Sequence, residues 1–152
     1  MKVKDLMTEN PATINSNSTI RKVNALMHKK NLRNLIVVSD DNKVVGIITY
    51  SDLFRQVLPD YKELFEHEEY LVSPESMEER IEGITNKKVS EVMTREPETI
   101  DPGSYAVEAG AKMIGNKIKQ LPVVNNGKLV GIITHYDITW GLLMRDCKFF
   151  EY

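Results

Sequence analysis

Two aspartates, Asp52 and Asp137, and two threonines, Thr49 and Thr134, are the side chains whose types and spacing suggest chemistry. Each threonine closes a β-branched run, Gly46-Ile47-Ile48-Thr49 or Gly131-Ile132-Ile133-Thr134, and each aspartate follows three residues later. The apolar part reads as a buried strand, and the Thr-x-x-Asp as a strand end leading into a helix. An aspartate there complements the positive end of the helix, by about 0.3–1 kcal/mol, which is enough to explain one carboxylate. The same carboxylate can also accept from both hydroxyls of a ribose, a contact that a single hydroxyl acceptor cannot copy. The threonines are either ordinary strand residues or hydrogen-bond partners for a sugar or phosphate. Gly46 and Gly131 either relieve a hairpin or let a flat ring lie close to backbone. The same Gly-x-x-Thr-x-x-Asp spacing in both places favours the binding reading.

The two mouths belong to an internal repeat. An offset of 86 superposes 3–38 on 89–124, and an offset of 85 superposes 43–58 on 128–143, with 20 identities in 52 positions. The offset changes where Ser39-Asp40-Asp41-Asn42 faces Asn125-Asn126-Gly127, and a hairpin turn can lose one residue without flipping strand faces. Each repeat predicts the same order of elements. A short edge strand comes first, at Pro11–Ile14 or Pro97–Ile100. A helix follows, N-capped by Ser18 or Ser104. Its apolar stripe is Ile20, Val23, Leu26 and Met27 in the first copy, and the small-residue face Ala106, Val107, Gly110, Ala111, Met113 and Ile114 in the second. Then come hairpins over 35–49 and 121–134, the second turning at Asn126-Gly127. A last helix runs from about Asp52 to Leu58 and from about Asp137 to Met144. The predicted organisation is repeat 1 at 1–58, an acidic connector at 59–88, repeat 2 at 89–146 and an aromatic tail at 147–152. In the connector, residues 60–82 hold nine acids against two bases. Interspersed apolar residues and Ser73-Pro74 predict one or two surface helices there. A 55-residue repeat has little core of its own, so the two are expected to pack about a pseudo-twofold axis in an α+β fold.

Composition narrows the function. With 41% apolar and 28% charged residues and a net charge of −2, the chain is globular and has no broad attraction for nucleic acid or anionic membrane. No apolar run approaches the roughly 20 residues of a membrane span. The start, Met1-Lys2-Val3-Lys4-Asp5, lacks a signal-peptide core, which predicts a cytoplasmic protein. The lone cysteine, Cys147, has no partner for a disulfide or zinc site. His28, His67 and His135 are scattered without metal-ligand spacing, and no Gly-x-x-x-x-Gly-Lys-(Ser/Thr) phosphate loop occurs. The expectation is a protein that is not an enzyme, without catalytic residues or a metal.

The ordered set Val-x-(Asp/Glu)-x-Met-Thr, Pro-x-Thr-Ile, amphipathic helix, Leu-x-Val-Val, turn and Gly-Ile-Ile-Thr-x-x-Asp, present twice, resembles the cystathionine-β-synthase (CBS) domain in tandem, a Bateman module. The matched stretches are about 3–58 and 89–144. The resemblance implies a regulatory module that binds adenosine-containing ligands (AMP, ADP, ATP, S-adenosylmethionine or NAD) in clefts between the repeats. It implies ribose binding by Asp52 and Asp137, and ribose or phosphate contacts from Thr49 and Thr134. Phosphate-facing positions fall at Ser51 and Tyr136, and phosphate cations at Arg33 and Lys119. Ile47 and Ile132 would pack on sugar or base, and Leu32 and Ile118 would line the adenine pocket. One cation per cleft favours AMP over a triphosphate. No obligatory cofactor is expected. A homodimer and a separate regulated protein are the expected partners, the alternative being an interaction module whose clefts are only architecture.

Overall fold

The structure, a computed structural model, describes residues 1–58, 61–66 and 74–144. Expectations for Ser73, Cys147 and the aromatic tail lie outside these residues. The chain forms two compact units. One comprises Ala12–Asp41 and Val45–Glu96; the other comprises Met1–Pro11, Asn42–Val44 and the chain from Pro97 onward. The opening segment of each sequence repeat therefore belongs to the unit built mainly from the other repeat.

The first unit contains strand β2 (Thr13–Asn15), helix α1 (Ile20–Lys29), the strands β3 (Asn34–Val38) and β4 (Val44–Thr49), and helix α2 (Tyr50–Val57). Helices α3 (Tyr61–Glu66), α4 (Pro74–Thr85) and α5 (Val89–Val92) and strand β5 (Thr94–Arg95) follow. The sheet order is β2-β3-β4-β5, with β2 parallel to β3 and β5 antiparallel to β4. Its core joins Ile20, Val23 and Met27 of α1 to Leu35 and Val37 of β3, Ile48 of β4 and Leu53 of α2. This is the stripe predicted for α1, with Leu26 half-buried beside it. Ile84 of α4 and Val89 of α5 complete that core, so the connector contributes packing as well as charge.

The second unit contains a 3-10 turn (Val3–Asp5), strand β1 (Thr8–Glu9), helix α6 (Ala106–Asn116), the hairpin β6 (Gln120–Asn125) and β7 (Lys128–Thr134), and helix α7 (His135–Met144). Its sheet order is β1-β7-β6, all antiparallel. Asn126 (φ 49°) and Gly127 (φ 78°) make the two-residue turn expected of Asn-Gly.

The opening segments dock by matching backbone bonds. Val89 N–H donates to Ser18 O at 2.8 Å and Ser90 N–H to Ser16 O at 3.1 Å; in the other unit Val3 N–H donates to Ser104 O at 2.9 Å and Lys4 N–H to Pro102 O at 3.0 Å. Val3 and Val89 are each fully buried. The predicted N-caps need correction for this reason. Ser18 and Ser104 offer their carbonyls to these segments, and the capping position is the next residue. Thr19 caps α1, accepting from Lys22 N–H, whereas Tyr105 starts α6 without a side-chain cap.

Two further expectations change. Around Ile100 only an isolated bridge to Val123 forms. Ser16 N–H extends the first ladder by donating to Val38 O, but its counterpart Pro102 has no N–H to give. On α6 the buried stripe is Ala106, Ala109 and Met113; Val107 and Ile114, expected on that face, are 68% and 82% exposed.

Candidate functional site

Thr49 ends β4 in extended backbone (φ −125°, ψ 163°) and caps α2, which places Asp52 at the third helical position. The Asp52 Oδ2 atom accepts from Thr49 N–H at 2.8 Å and from Thr49 Oγ1 at 2.9 Å, and Asp52 N–H donates back to Thr49 Oγ1 at 3.3 Å. This is a reciprocal capping box. The second mouth repeats it: Asp137 Oδ2 accepts from Thr134 N–H at 2.8 Å and from Thr134 Oγ1 at 2.7 Å, and Asp137 N–H donates to Thr134 Oγ1 at 3.2 Å. Helix capping and ligand binding are therefore compatible readings of one carboxylate. One oxygen secures the helix start and fixes the rotamer, and the other keeps acceptor capacity in a defined direction.

The structure brings the predicted cations' backbone to these mouths. Arg33 O accepts from Tyr50 N–H at 3.1 Å, and Lys119 O accepts from His135 N–H at 2.9 Å. Both side chains are exposed, as are Ser51 and Tyr136 in the first turns of α2 and α7. Ile47 and Ile132 are half-buried and alternate with the buried Ile48 and Ile133, so they face the other side of their sheets. Leu32 and Ile118 are half-buried just past α1 and α6, each packed on its own unit's core. Ile118 also lines an open groove of about 630 Å³ with Lys119, His135 and Ile138.

The glycines have a structural cause. The Met-Thr strands cross them, with Gly46 opposite Arg95 and Gly131 opposite Glu9. A Cβ on Gly46 would lie 2.8 Å from Thr94 O and overlap Met93 Sδ; one on Gly131 would lie 3.0 Å from Thr8 O and 2.7 Å from Met7 Sδ. Neither glycine leaves room for a ring at that point, because neighbouring backbone occupies it.

Arg55 was not singled out by motif reading. Its Nη2 donates to Asp52 Oδ1 at 2.7 Å. The signal available was its position three residues after Asp52, on the same helix face. Among the described residues no group of three or more His, Cys, Asp or Glu could hold a metal, and no helix is long and apolar enough to cross a membrane.

A duplicated α+β module, each copy pairing a strand-end threonine with a helix-start aspartate, is the class that this fold and site define. The sequence profile of the CBS domain matches residues 3–59 and 89–143, and the chain belongs to that family as a tandem pair. It is 33% identical over 137 residues to CBS domain-containing protein DDB_G0289609 of Dictyostelium discoideum, covering 90% of this chain and 87% of that protein. It is 32% identical over 137 residues to uncharacterized protein MJ1404 of Methanocaldococcus jannaschii, covering 90% of this chain but spanning only 31% of that protein's length. Among solved structures, the CBS domain pair of protein MJ0100 in complex with 5′-methylthioadenosine and S-adenosyl-L-methionine is similar, with a TM-score of 0.69 and 27% identity, over 95% of this chain and 98% of that one.

Proposed function

We propose that the chain is a cytoplasmic regulatory module that binds an adenosine-containing ligand at its Thr-x-x-Asp mouths and transmits occupancy to a partner protein. The observation that carries this reading is the carboxylate built twice, each with one oxygen held by its threonine and acceptor capacity remaining on the other. That arrangement suits the vicinal diol of a ribose. The MJ0100 pair was solved with two ligands that both contain adenosine, which supports the same ligand class here. Arg33 and Lys119 would each bring one cation to a phosphate at their mouths, Arg55 being engaged already with Asp52. One cation balances a monophosphate better than a triphosphate, which favours AMP over ADP and ATP. S-adenosylmethionine and NAD are the other members of the class to test.

A thermal-shift screen of the purified chain against AMP, ADP, ATP, S-adenosylmethionine, NAD and adenosine tests the reading. A ligand at about 100 times its Kd adds about 2.7 kcal/mol of stability, a shift of several degrees. Replacing both Asp52 and Asp137 by alanine abolishes the shift; a shift that survives the double substitution overturns the ribose assignment. Silence from all six ligands in protein freed of nucleotide favours the second reading, an interaction module. The exposed Val107, Ile114 and Leu143 of α6 and α7 support that reading. Both readings include a homodimer, and a monomeric mass at micromolar protein overturns that part. The regulated partner is a separate chain or a further domain, in keeping with the 31% of MJ1404 that this chain spans.

A further inference from the structure

The two aspartates carry unequal loads. A carboxylate has about four acceptor positions, and in both mouths the threonine fills two of them through Oδ2. In the first mouth Arg55 fills a third, on Oδ1 at 2.7 Å. The position matching Arg55 in the second repeat is Trp140, and among the described residues no hydrogen bond reaches Oδ1 of Asp137. A diol at Asp137 finds two open positions, and a diol at Asp52 finds one. The Arg55 side chain is 69% exposed against 10% for Asp52, so the guanidinium can leave while the carboxylate stays fixed. It also borders a polar cavity of about 550 Å³ with Gln56, Glu79, Arg80 and Lys87, which gives it somewhere to go.

We propose that Arg55 is a specificity-determining residue that competes with a vicinal diol for Asp52, which makes the Asp137 mouth the tighter site for a neutral nucleoside. This rests on the adenosine reading above. The competitor is a largely exposed ion pair, so its effect on affinity is about twofold to fivefold.

The test is calorimetric titration of the full chain with adenosine, reading one mouth at a time. Asp137→Asn leaves the first mouth and Asp52→Asn leaves the second, and asparagine retains an acceptor oxygen for the threonine. Adenosine binds about twofold to fivefold more tightly to Asp52→Asn than to Asp137→Asn. In the Asp137→Asn background, Arg55→Ala tightens adenosine by the same factor and Arg55→Lys, which keeps a cation, does not. In the Asp52→Asn background, Trp140→Arg weakens it. A purely structural Arg55 would instead lower Tm in Arg55→Ala without tightening adenosine. Equal affinities at the two mouths, or no response to Arg55→Ala, overturn the competition and leave the adenosine reading standing. No adenosine binding by any protein, the unmodified chain included, overturns both.

Discussion

The unit holding Asp52 and the unit holding Asp137 build the same capped carboxylate from Thr-x-x-Asp, yet they surround it differently. Around Asp52 the charge is answered by Arg55, and α4 packs on α1 and α2 and buries Ile84 in their core, while Phe54 of α2 stays 64% exposed. Around Asp137 the matching residue is Trp140, 54% exposed, and α6 and α7 leave Val107, Ile114 and Leu143 open. The repeat thus preserves the bonds that fix the carboxylate and varies what competes with or covers it. A shared core and cap tolerate little change, while an exposed residue one turn along the helix changes the site cheaply.

The largest effect expected on this comparison comes from the carboxylates one at a time. Asp137→Ala and Asp52→Ala each remove one equivalent of bound adenosyl ligand, with at least about 100-fold weakening at the altered mouth. Equilibrium dialysis counts the remaining equivalents. Full stoichiometry after either substitution would show that this aspartate does not hold the ligand. Next comes the crossing of the Met-Thr strand over each glycine. Gly46→Ala and Gly131→Ala each lose about 1–3 kcal/mol, because the new Cβ meets a backbone carbonyl that cannot move alone. Thermal unfolding measures the loss, and Gly46 is the costlier site since Thr94 O is 2.8 Å away against 3.0 Å for Thr8 O. The opposite ranking would mean that the second unit's opening segment is the more tightly seated one.

A smaller effect separates the two caps. Thr49→Val and Thr134→Val keep the side-chain shape and lose the hydroxyl bonds, which costs about 0.5–2 kcal/mol of stability. Asp52 then remains tethered by Arg55, whereas Asp137 keeps only its bond from Thr134 N–H. Stability therefore falls further in Thr134→Val than in Thr49→Val, as thermal unfolding of the ligand-free chain measures. Equal losses would show that Arg55 does not restrain the first carboxylate.

Much of this was legible in the sequence, for identifiable reasons. The repeat, the hairpins and the Thr-x-x-Asp mouths announce themselves through local spacing, and Asn126-Gly127 names its own turn type. The two-residue strands β1 and β5 were not legible: they are too short for any period, and their partners lie 122 or more and 47 or more residues away, at Ile132 for Thr8 and at Ile47 for Thr94. The caps misled because serine at 18 and 104 has the right chemistry, while long-range bonds from Val89 and Val3 to the two serine carbonyls fix those residues before the helix begins. Arg55 escaped because its meaning comes from the contrast with Trp140, two residue types that no shared motif connects. On α6, Val107 and Ile114 are apolar residues that face outward, which composition alone cannot distinguish from core.

The smallest expected effect lies where the repeats share a strained backbone. Asn31 (φ 52°) and Lys117 (φ 55°) sit at matching positions after α1 and α6, both left-handed. Asparagine visits that region more readily than lysine because its short polar side chain can bond locally. Lys117→Asn, which copies the first repeat into the second, therefore stabilises the chain by about 0.5–1 kcal/mol, and Asn31→Lys destabilises it by a similar amount. In a chain of this size that is a Tm change of about 1–4 °C in opposite directions. Both positions are exposed and lie outside the capped carboxylates, so thermal unfolding of the ligand-free chain reads the backbone term in each variant. A Tm change of the same sign in the two reciprocal variants would mean that the backbone is not the shared constraint, and that each repeat has tuned this residue to its own neighbours.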